Sequence, residues 1–156
     1  MNLQLLSMPD SFEHTPTLTI RMPNGALAAL AGNLDPHHRV AVADLVLVQA
    51  SVRQTIERLM TDIQPDVVGL SVMTFQRQTA LRIIKRIRAI KPSVIVVAGG
   101  YDPSLASEAY ESPSSGVDFV VRGEGELTFR ALLHAVSTGG DPGRIPGLSY
   151  SAAPGD

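Results

Sequence analysis

Short runs of apolar residues alternate along the chain with stretches in which apolar positions recur every three or four residues. The most continuous run lies in residues 66–74 and has Gly69 near its centre. Continuous apolar runs are typical of parallel strands that are buried on both faces. We therefore predict that this segment is the central strand. Its glycine indicates a helix packed tightly across the strand, which we favour, or room for a bulky neighbour.

The remaining pattern predicts strands and helices in alternation. Strands are predicted over residues 3–8, 39–45, 94–98 and 117–121. Helices are predicted over residues 25–34, from Ser51 to just before Pro65, and over residues 76–90, 103–110 and 127–136. Asn24 is a candidate N-cap of the first helix. Residues 17–20 alternate as a strand would, but the prolines at 9, 16 and 23 favour a loop.

Five strand–helix units in succession predict an α/β fold of three layers. The expected form is a flavodoxin-like, doubly wound sheet of five parallel strands in the order 2-1-3-4-5. One domain is expected over residues 1–143, with residues 144–156 as an edge strand or a linker. Right-handed crossovers would bring the loops after Met8, Val72, Ala98 and Val121 to the carboxyl edge of the sheet, where ligands bind in such folds.

The composition narrows the classes of function. A chain of 156 residues with 44% hydrophobic and 18% charged residues is typical of one globular domain. The formal net charge of −2 provides no basic footprint for nucleic acid. Without cysteine, the chain holds no disulfide, no thiolate metal site and no cysteine-ligated iron–sulfur cluster. No apolar run reaches the ~20 residues of a membrane span and no signal peptide is recognised, so a cytoplasmic setting is expected.

Basic residues concentrate on the third predicted helix. Six of the chain's thirteen lysines and arginines lie there: Arg77, Arg82, Lys85, Arg86, Arg88 and Lys91. We interpret them as a solvated helix face. A docking surface for a second domain is the alternative.

Three short motifs lie at the predicted carboxyl edge. Ser71 ends the central strand and would either hydrogen-bond a ligand or satisfy the local backbone. Gly99 and Gly100 remove two side chains where the fourth strand ends, which would admit a flat ring or serve a turn with positive φ. Glu124 and Glu126 alternate with glycines at the start of the last helix, where carboxylates suit the helix dipole. Together the three motifs favour a binding site.

These motifs, taken in order, resemble a known family. The segments are residues 65–74 (Pro-Asp-Val-Val-Gly-Leu-Ser-Val-Met-Thr), 96–100 (Val-Val-Ala-Gly-Gly), 117–126 (Val-Asp-Phe-Val-Val-Arg-Gly-Glu-Gly-Glu) and 145–150 (Ile-Pro-Gly-Leu-Ser-Tyr). Their succession is similar to the amino-terminal cobalamin-binding domain of cobalamin-dependent radical S-adenosylmethionine enzymes. The resemblance spans nearly the whole chain, and the Gly-Gly pair and the Gly-Glu-Gly-Glu step are its most specific parts.

The resemblance implies a cobalamin-binding domain that presents its cofactor to a separate catalytic domain of the methyltransferase or cyclase type. Ser71 would contact the nucleotide tail of cobalamin, Gly99 and Gly100 would line its slot, and the Met73 and Glu124 loops would lie near the corrin. The full set of cofactor-binding residues that the resemblance implies is Ser71, Met73, Thr74, Gly99, Gly100, Tyr101, Gly123 and Glu124.

A histidine ligand for cobalt is missing from the expected position. Many cobalamin domains carry Asp-x-His-x-x-Gly after the first strand, and residues 9–14 do not match it. Asp35 and His37 mimic part of the motif but precede the second strand, at the wrong end of the sheet, and we interpret His37 and His38 as surface loop residues. His14 is a remaining candidate for the cobalt ligand, but we favour its interpretation as an ordinary loop histidine. The resemblance therefore implies base-off cobalamin without a histidine lower ligand.

The catalytic motif of the family is also missing. S-adenosylmethionine and an iron–sulfur cluster belong to a barrel domain with a Cys-x-x-x-Cys-x-x-Cys motif, whereas this chain has no cysteine. The chain is therefore either a fragment or a stand-alone binder, and by itself it is not expected to be catalytic. Its expected partners are cobalamin and the barrel domain.

Two rival functions use the same fold. One is a cofactor-free signalling or protein-interaction module, although no acidic cluster with a phosphorylatable aspartate ends the first or central strand, and Asp44 ends the second strand alone. The other is a nucleotide or flavin binder, although no Gly-x-Gly-x-x-Gly follows the first strand. The motif set favours the cobalamin-binding domain over both.

Overall fold

The structure is a computed structural model, and it describes residues 1–10 and 24–150. The strands of this part of the chain are β1 (Asn2–Ser7), β2 (Arg39–Asp44), β3 (Val67–Ser71), β4 (Ile95–Gly99), β5 (Phe119–Val121) and β6 (Leu148–Ser149). The helices are α1 (Gly25–Gly32), α2 (Val52–Ile63), α3 (Arg77–Ile90), α4 (Tyr101–Leu105), α5 (Glu108–Glu111) and α6 (Gly125–Thr138). A 3₁₀ segment, Leu45–Ser51, leads into α2. Strands and helices alternate, as the sequence predicts.

The strands form one sheet in the order β2-β1-β3-β4-β5-β6. The first five in chain order are parallel, and β3 pairs with β1 on one side and β4 on the other. This confirms the flavodoxin-like order 2-1-3-4-5. The sheet has a sixth strand, because Gly147 adopts φ of +79° and the chain turns back so that β6 pairs antiparallel with β5.

Helices cover both faces of the sheet, with a separate apolar cluster on each face. On one face, buried side chains of α2 and α3 pack against the strands around Val68, Val96 and Val120. On the other face, α1 and α6 contribute Leu27 and Phe129 to a smaller cluster. Alternate residues of each strand therefore serve different faces, as expected for a strand buried on both sides.

The sequence correctly predicts the long helices and misplaces a short one. Asn24 caps α1, since its side chain accepts a hydrogen bond from the Leu27 N–H at 3.2 Å. The prediction of a single helix over residues 103–110 is wrong. Two short helices are found instead, α4 and α5, because the backbone departs from helical geometry at Ala106, where φ is −138°. The predictions for residues 17–20 and for His14 lie outside the described residues.

Several basic residues of α3, and Lys91 just after it, contact other parts of the same domain. Arg88 is ion-paired with Asp118 at 2.5 Å, and its side chain is 23% exposed. Arg86 is paired with Glu57 of α2, and the Lys91 ammonium donates to the Pro65 carbonyl at 2.7 Å. The interpretation of this face as simply solvated is therefore wrong for Arg88, which ties α3 to the segment before β5.

Candidate functional site

A cavity of about 140 Å³ opens at the carboxyl edge of the sheet, on the face covered by α1 and α6. Its lining comes from β1, β3, β4, β5 and the two helices: Leu5, Ala26, Leu27, Leu30, Gly69, Leu70, Ser71, Val97, Gly99, Gly100, Val121, Gly123, Glu124, Gly125, Glu126 and Phe129. Five of the eight residues expected to bind the cofactor are among them: Ser71, Gly99, Gly100, Gly123 and Glu124. The cavity lies where the strand order reverses, which is the usual ligand position in open α/β sheets.

Gly69 keeps this cavity open at the centre of the sheet. A Cβ atom on Gly69 would lie 2.9 Å from Leu5 Cδ2 and 3.6 Å from Phe129 Cζ. The first distance is shorter than van der Waals contact, so an alanine there would push Leu5 aside. Helix α6 does pack across this strand through Phe129, and the missing side chain also leaves space that belongs to the cavity.

The two glycines after β4 have different roles. A Cβ atom on Gly99 would meet Val121 at ordinary distances, 3.6 Å from its carbonyl oxygen and 3.7 Å from its Cβ. Gly100 has φ of +100°, and a Cβ atom there would lie 2.8 Å from Val72 N and 2.9 Å from Val72 O. Gly100 is therefore required by the turn itself, while Gly99 leaves room that a side chain would fill.

The Gly-Glu-Gly-Glu step shapes the side of the cavity next to α6. Gly123 has φ of +73°, which suits glycine. Gly125, the first residue of α6, allows close packing, since a Cβ atom there would lie 3.3 Å from Val121 Cγ1 and 3.6 Å from Leu30 Cδ2. Glu124 lines the cavity and is exposed, and because it immediately precedes α6 it lies at the positive end of that helix.

The other three expected residues do not line the cavity. Met73 and Thr74 follow β3, Tyr101 is the first residue of α4, and all three are exposed. The exposed fractions of Met73 and Tyr101 are 47% and 60%, and neighbouring Phe75 is 69% exposed. We use the word rim for the segments that follow the strands at the carboxyl edge, next to the cavity. The rim thus carries apolar side chains that the domain does not bury.

A buried carboxylate, which the sequence reasoning missed, joins two of the rim loops. Asp102 is 1% exposed and accepts hydrogen bonds at 2.7 Å from both Nε and Nη2 of Arg77. The Tyr110 hydroxyl donates to Asp102 Oδ2 at 2.5 Å. Arg77 starts α3 while Asp102 lies in α4, so this network fixes the loop after β3 against the loop after β4. The position of Asp102 close to the Gly-Gly pair was the only sign of this network in the sequence. Its partner, Arg77, is 25 residues away.

Electrostatics at Asp102 favour the charged carboxylate. Its hydrogen bonds from Arg77 lower the pKa of the carboxyl group below its ordinary value, against the opposing effect of burial. Burial raises the pKa of the Tyr110 hydroxyl, and the hydrogen bond to Asp102 raises it further. Tyr110 therefore stays protonated and acts as a donor.

Two further polar side chains connect the remaining rim loops. Gln76 is buried, donates from Nε2 to the Met8 carbonyl at 3.0 Å, and accepts from the Met73 N–H at 3.0 Å. It joins the loop after β1 to the loop after β3. Ser104 Oγ donates to the Gly100 carbonyl at 2.7 Å and accepts from the Gly123 N–H at 3.0 Å. It joins the loop after β4 to the loop after β5, so the rim is connected from β1 to β5.

The neighbouring histidines lie at the opposite edge of the sheet. His38 Nδ1 is 3.5 Å from the Met1 amino group, next to the start of β1. His37 is exposed as predicted, but the prediction of a surface position is wrong for His38, which is 8% exposed. Burial lowers its pKa. No described residue that lines the cavity is a histidine.

Asp35, His37 and His38 bring possible metal-ligand atoms within 4.8 Å of one another. Asp35 is already engaged by Arg130 at 2.6 Å. A cation would have to compete with this guanidinium, so the cluster offers a poor metal site.

No helix in residues 1–10 and 24–150 has the length and apolar character needed to span a bilayer.

A doubly wound sheet with a glycine-lined cavity at its switch point defines a cofactor-binding α/β domain. The family model of the B12 binding domain matches residues 15–133 of this chain. The chain belongs to the B12 binding domain family.

The chain matches parts of proteins that are several times longer. The chain is 34% identical over 128 residues to the uncharacterized methyltransferase PH0819 of Pyrococcus horikoshii, covering 82% of this chain and 28% of that protein. It is 27% identical over 129 residues to an anaerobic magnesium-protoporphyrin IX monomethyl ester cyclase of Synechocystis, covering 82% of this chain and 26% of that protein.

The fold also matches a solved structure. The radical S-adenosylmethionine methyltransferase TsrM from Kitasatospora setae, solved with cobalamin and a 4Fe–4S cluster, superposes with a TM-score of 0.80 at 26% identity. The match covers 99% of this chain and 30% of that one. The chain thus spans less than a third of the length of these proteins.

Proposed function

We propose that this domain binds cobalamin in the base-off state, with the nucleotide tail in the cavity, and presents the corrin to a neighbouring radical S-adenosylmethionine domain. The observation that carries the proposal is the cavity between Gly69, Gly99 and Phe129, at the carboxyl edge of the central strands. Membership of the B12 binding domain family supports cobalamin as the occupant. Both favour this function over a cofactor-free interaction module.

The cavity residues fit a flat and mainly apolar group. Leu5, Val97 and Phe129 are each at most 3% exposed and line the cavity. A dry apolar cavity of ~150 Å³ is large enough for a benzene-sized ring. Ser71 and Glu124 supply polar groups at the carboxyl edge, where the polar part of a nucleotide tail would lie.

The chain's own residues would hold the cofactor rather than react. When bound, cobalamin supplies the cobalt chemistry of methyl or radical transfer. Leu5 and Phe129 would exclude water from the nucleotide base, and Ser71 would offer a hydrogen bond to the tail. Met73, Thr74 and Tyr101 would face the corrin from the exposed rim. Because residues 9–14 do not match the Asp-x-His-x-x-Gly motif, we propose that no histidine binds cobalt from below.

The exposed apolar rim supports the proposal of a catalytic partner domain. Phe75 and Tyr101 are more than half exposed on the edge where the corrin would lie. A second domain placed over this edge would cover them together with the cofactor. S-adenosylmethionine and an iron–sulfur cluster would belong to that domain, since this chain has no cysteine.

The decisive variant is Gly99→Leu. Its Cβ atom meets only ordinary contacts, so the domain should fold, while the added isobutyl group should enter the cavity. We expect the affinity for hydroxocobalamin to fall at least ~100-fold, equivalent to ~2.7 kcal/mol. Calorimetric titration would measure the affinity, the visible spectrum would report the base-off state, and circular dichroism would verify folding.

Gly32→Leu is the matched control. Gly32 is an exposed residue at the end of α1, and no atom lies within 4 Å of a Cβ atom placed there. This variant should bind cobalamin as the unmodified domain does. Normal binding by a folded Gly99→Leu variant would show that the slot is elsewhere. Gly100 is unsuitable for this test, because its positive φ means that any side chain strains the turn.

A further inference from the structure

We propose that the cavity selects cobamides whose nucleotide base is an apolar benzimidazole over those whose base is a purine, because Leu5, Val97 and Phe129 line it while its polar side chains lie at the carboxyl edge. The inference rests on the proposed function, in which the nucleotide tail occupies this cavity. It adds a chemical selectivity that the fold and the family do not specify.

Most of the side chains that line the cavity are hydrocarbon. Those from β1, β4, β5 and the interiors of α1 and α6 are Leu5, Leu27, Leu30, Val97, Val121 and Phe129. The polar side chains of the lining are Ser71, Glu124 and Glu126. Ser71 is the last residue of β3, and the two glutamates flank the first residue of α6, so all three lie at the carboxyl edge.

The strand backbone beside the cavity has few hydrogen-bonding groups to spare. β3 pairs with β1 and β4 along its whole length, Val67–Ser71, so its peptide groups point into the neighbouring strands. Just beyond it, Val72 N–H donates to the Gly99 carbonyl at 2.9 Å, and the Val72 carbonyl accepts from Asp102 N–H at 3.0 Å. A polar base in the cavity would therefore lose hydrogen bonds to water without replacing them.

The two kinds of base differ at the edge far from their attachment to the sugar. In 5,6-dimethylbenzimidazole this edge carries two methyl groups, which gain from burial against leucine, valine and phenylalanine. In adenine it carries an amino group and ring nitrogens, which need hydrogen-bond partners. One or two unmet hydrogen bonds correspond to a preference of roughly 10–100-fold for the benzimidazole.

Titration of the purified protein with two cobamides tests this selectivity directly. Cobalamin carries dimethylbenzimidazole and adeninylcobamide carries adenine, while the corrin ring is the same in both. Calorimetry and visible spectra would give both dissociation constants. We expect cobalamin to bind about 10–100-fold more tightly.

A pair of valine variants on β4 isolates the cavity. Val97→Thr adds a hydroxyl at nearly constant volume to a residue that lines the cavity, and should reduce the preference for cobalamin ~3–10-fold. Val96→Thr is the control, because Val96 is the adjacent residue, is 0% exposed and belongs to the apolar cluster on the opposite face. It should leave the ratio of affinities unchanged.

Each outcome decides between the two proposals. A preference for cobalamin that Val97→Thr narrows and Val96→Thr preserves supports the selectivity. Equal affinities for the two cobamides, or equal effects of the two variants on the ratio, would overturn the selectivity while cobalamin binding stands. Binding of neither cobamide by the folded protein would overturn the proposed function itself.

Discussion

Asp102 is a charged residue buried next to the rim of the cavity, and its partners explain how the fold tolerates it. A carboxylate that is 1% exposed loses most of its hydration, which would normally favour protonation. The paired hydrogen bonds from Arg77 reverse this tendency and lower the pKa. A carboxyl group whose pKa is lower in the folded state contributes stability above its unfolded pKa, and that stability disappears as pH falls through the folded pKa.

Replacing Asp102 with asparagine should therefore destabilise the domain in a pH-dependent way. We expect the free energy of unfolding to fall by roughly 2–3 kcal/mol near neutral pH, because the charged hydrogen bonds with Arg77 are lost. As pH decreases below the ordinary carboxyl pKa of 3.8, the wild-type domain loses this contribution too, so the two proteins should converge. Urea unfolding at a series of pH values measures the difference.

Asp35→Asn is the control for this prediction. Asp35 also pairs with an arginine, but the side chains of Arg130 and Asp35 are 52% and 24% exposed. Partly exposed pairs contribute at most about 1 kcal/mol, so this variant should change stability little. A pH-independent loss in Asp102→Asn would mean that packing rather than charge makes Asp102 important.

Single residues are predictable from sequence when their role is local. Asn24 is recognisable as a helix cap because the cap and its target lie three residues apart. The sequence could not separate the roles of Gly99 and Gly100, since only the backbone angle and the distance to Val72 distinguish a turn glycine from a cavity glycine. Asp102 was missed because Arg77, its partner, precedes it by a helix and a strand.

At the scale of elements, α4 connects the two loops that flank the cavity. Near the end of α4, the Ser104 hydroxyl donates a hydrogen bond to the Gly100 carbonyl and accepts one from the Gly123 N–H. Gly123 in turn precedes Glu124 and the start of α6. The Ser104 hydroxyl thus helps to position the start of the Gly-Glu-Gly-Glu loop.

The variant Ser104→Ala should weaken cofactor binding more than it weakens the fold. We expect a loss of stability of about 1 kcal/mol or less, because the hydrogen bonds are exposed to water. Cobalamin affinity should fall roughly 3–10-fold, since the loop loses its fixed position before binding. Calorimetric titration and thermal unfolding of the same sample measure both.

Ser137→Ala provides the comparison for that measurement. The Ser137 hydroxyl donates to the His134 carbonyl at 2.9 Å near the far end of α6, away from the cavity. It should affect neither affinity nor stability beyond about 0.5 kcal/mol. Equal affinities for the two variants would show that Ser104 does not position the loop.

The sequence predicts long elements better than short ones. The apolar periodicity of α2, α3 and α6 extends over twelve to fourteen residues and places each helix to within about two residues. α4 has only five residues, too few for a period to be recognised, while the strand predicted over residues 117–121 contains β5 but begins two residues too early. The starts of α4 and α6 depend on tertiary contacts of Gly100 and Gly125, which no local pattern encodes.

The whole molecule has one densely packed face and one face that contains the cavity. Among the residues that the structure describes, the cluster with α2 and α3 includes nineteen buried residues, whereas the cluster with α1 and α6 includes nine. Cobalamin in the cavity would add contacts on the second face only. The response of the molecule to its ligand should therefore be uneven.

Hydrogen exchange should reveal this asymmetry. At a free cobalamin concentration of about 100 times Kd, the free energy of unfolding should rise by about 2.7 kcal/mol. Added protection from exchange below the level of global unfolding should concentrate in α1 and α6, with little change in α2 and α3. Mass spectrometry of the two states measures it, and a uniform gain in protection would place the ligand elsewhere.

The strand order of the whole molecule was predictable because repeated strand–helix units permit few right-handed arrangements. The antiparallel direction of β6 was not, since it depends on a left-handed backbone at Gly147 and on the hydrogen bond from Arg122 N–H to the Gly147 carbonyl at 2.8 Å. Two residues of strand carry too little pattern to specify a direction.

β6 also affects how separate copies of the domain meet. β5 would otherwise end the sheet with unpaired peptide groups, and such an edge recruits strands from other molecules. Pairing of Val120 with Ser149 and of Val121 with Leu148 occupies that edge with the chain's own backbone. A strand of only two residues leaves little to extend in turn. The turn at Gly147 therefore closes the β5 edge of the sheet to pairing with strands of other molecules.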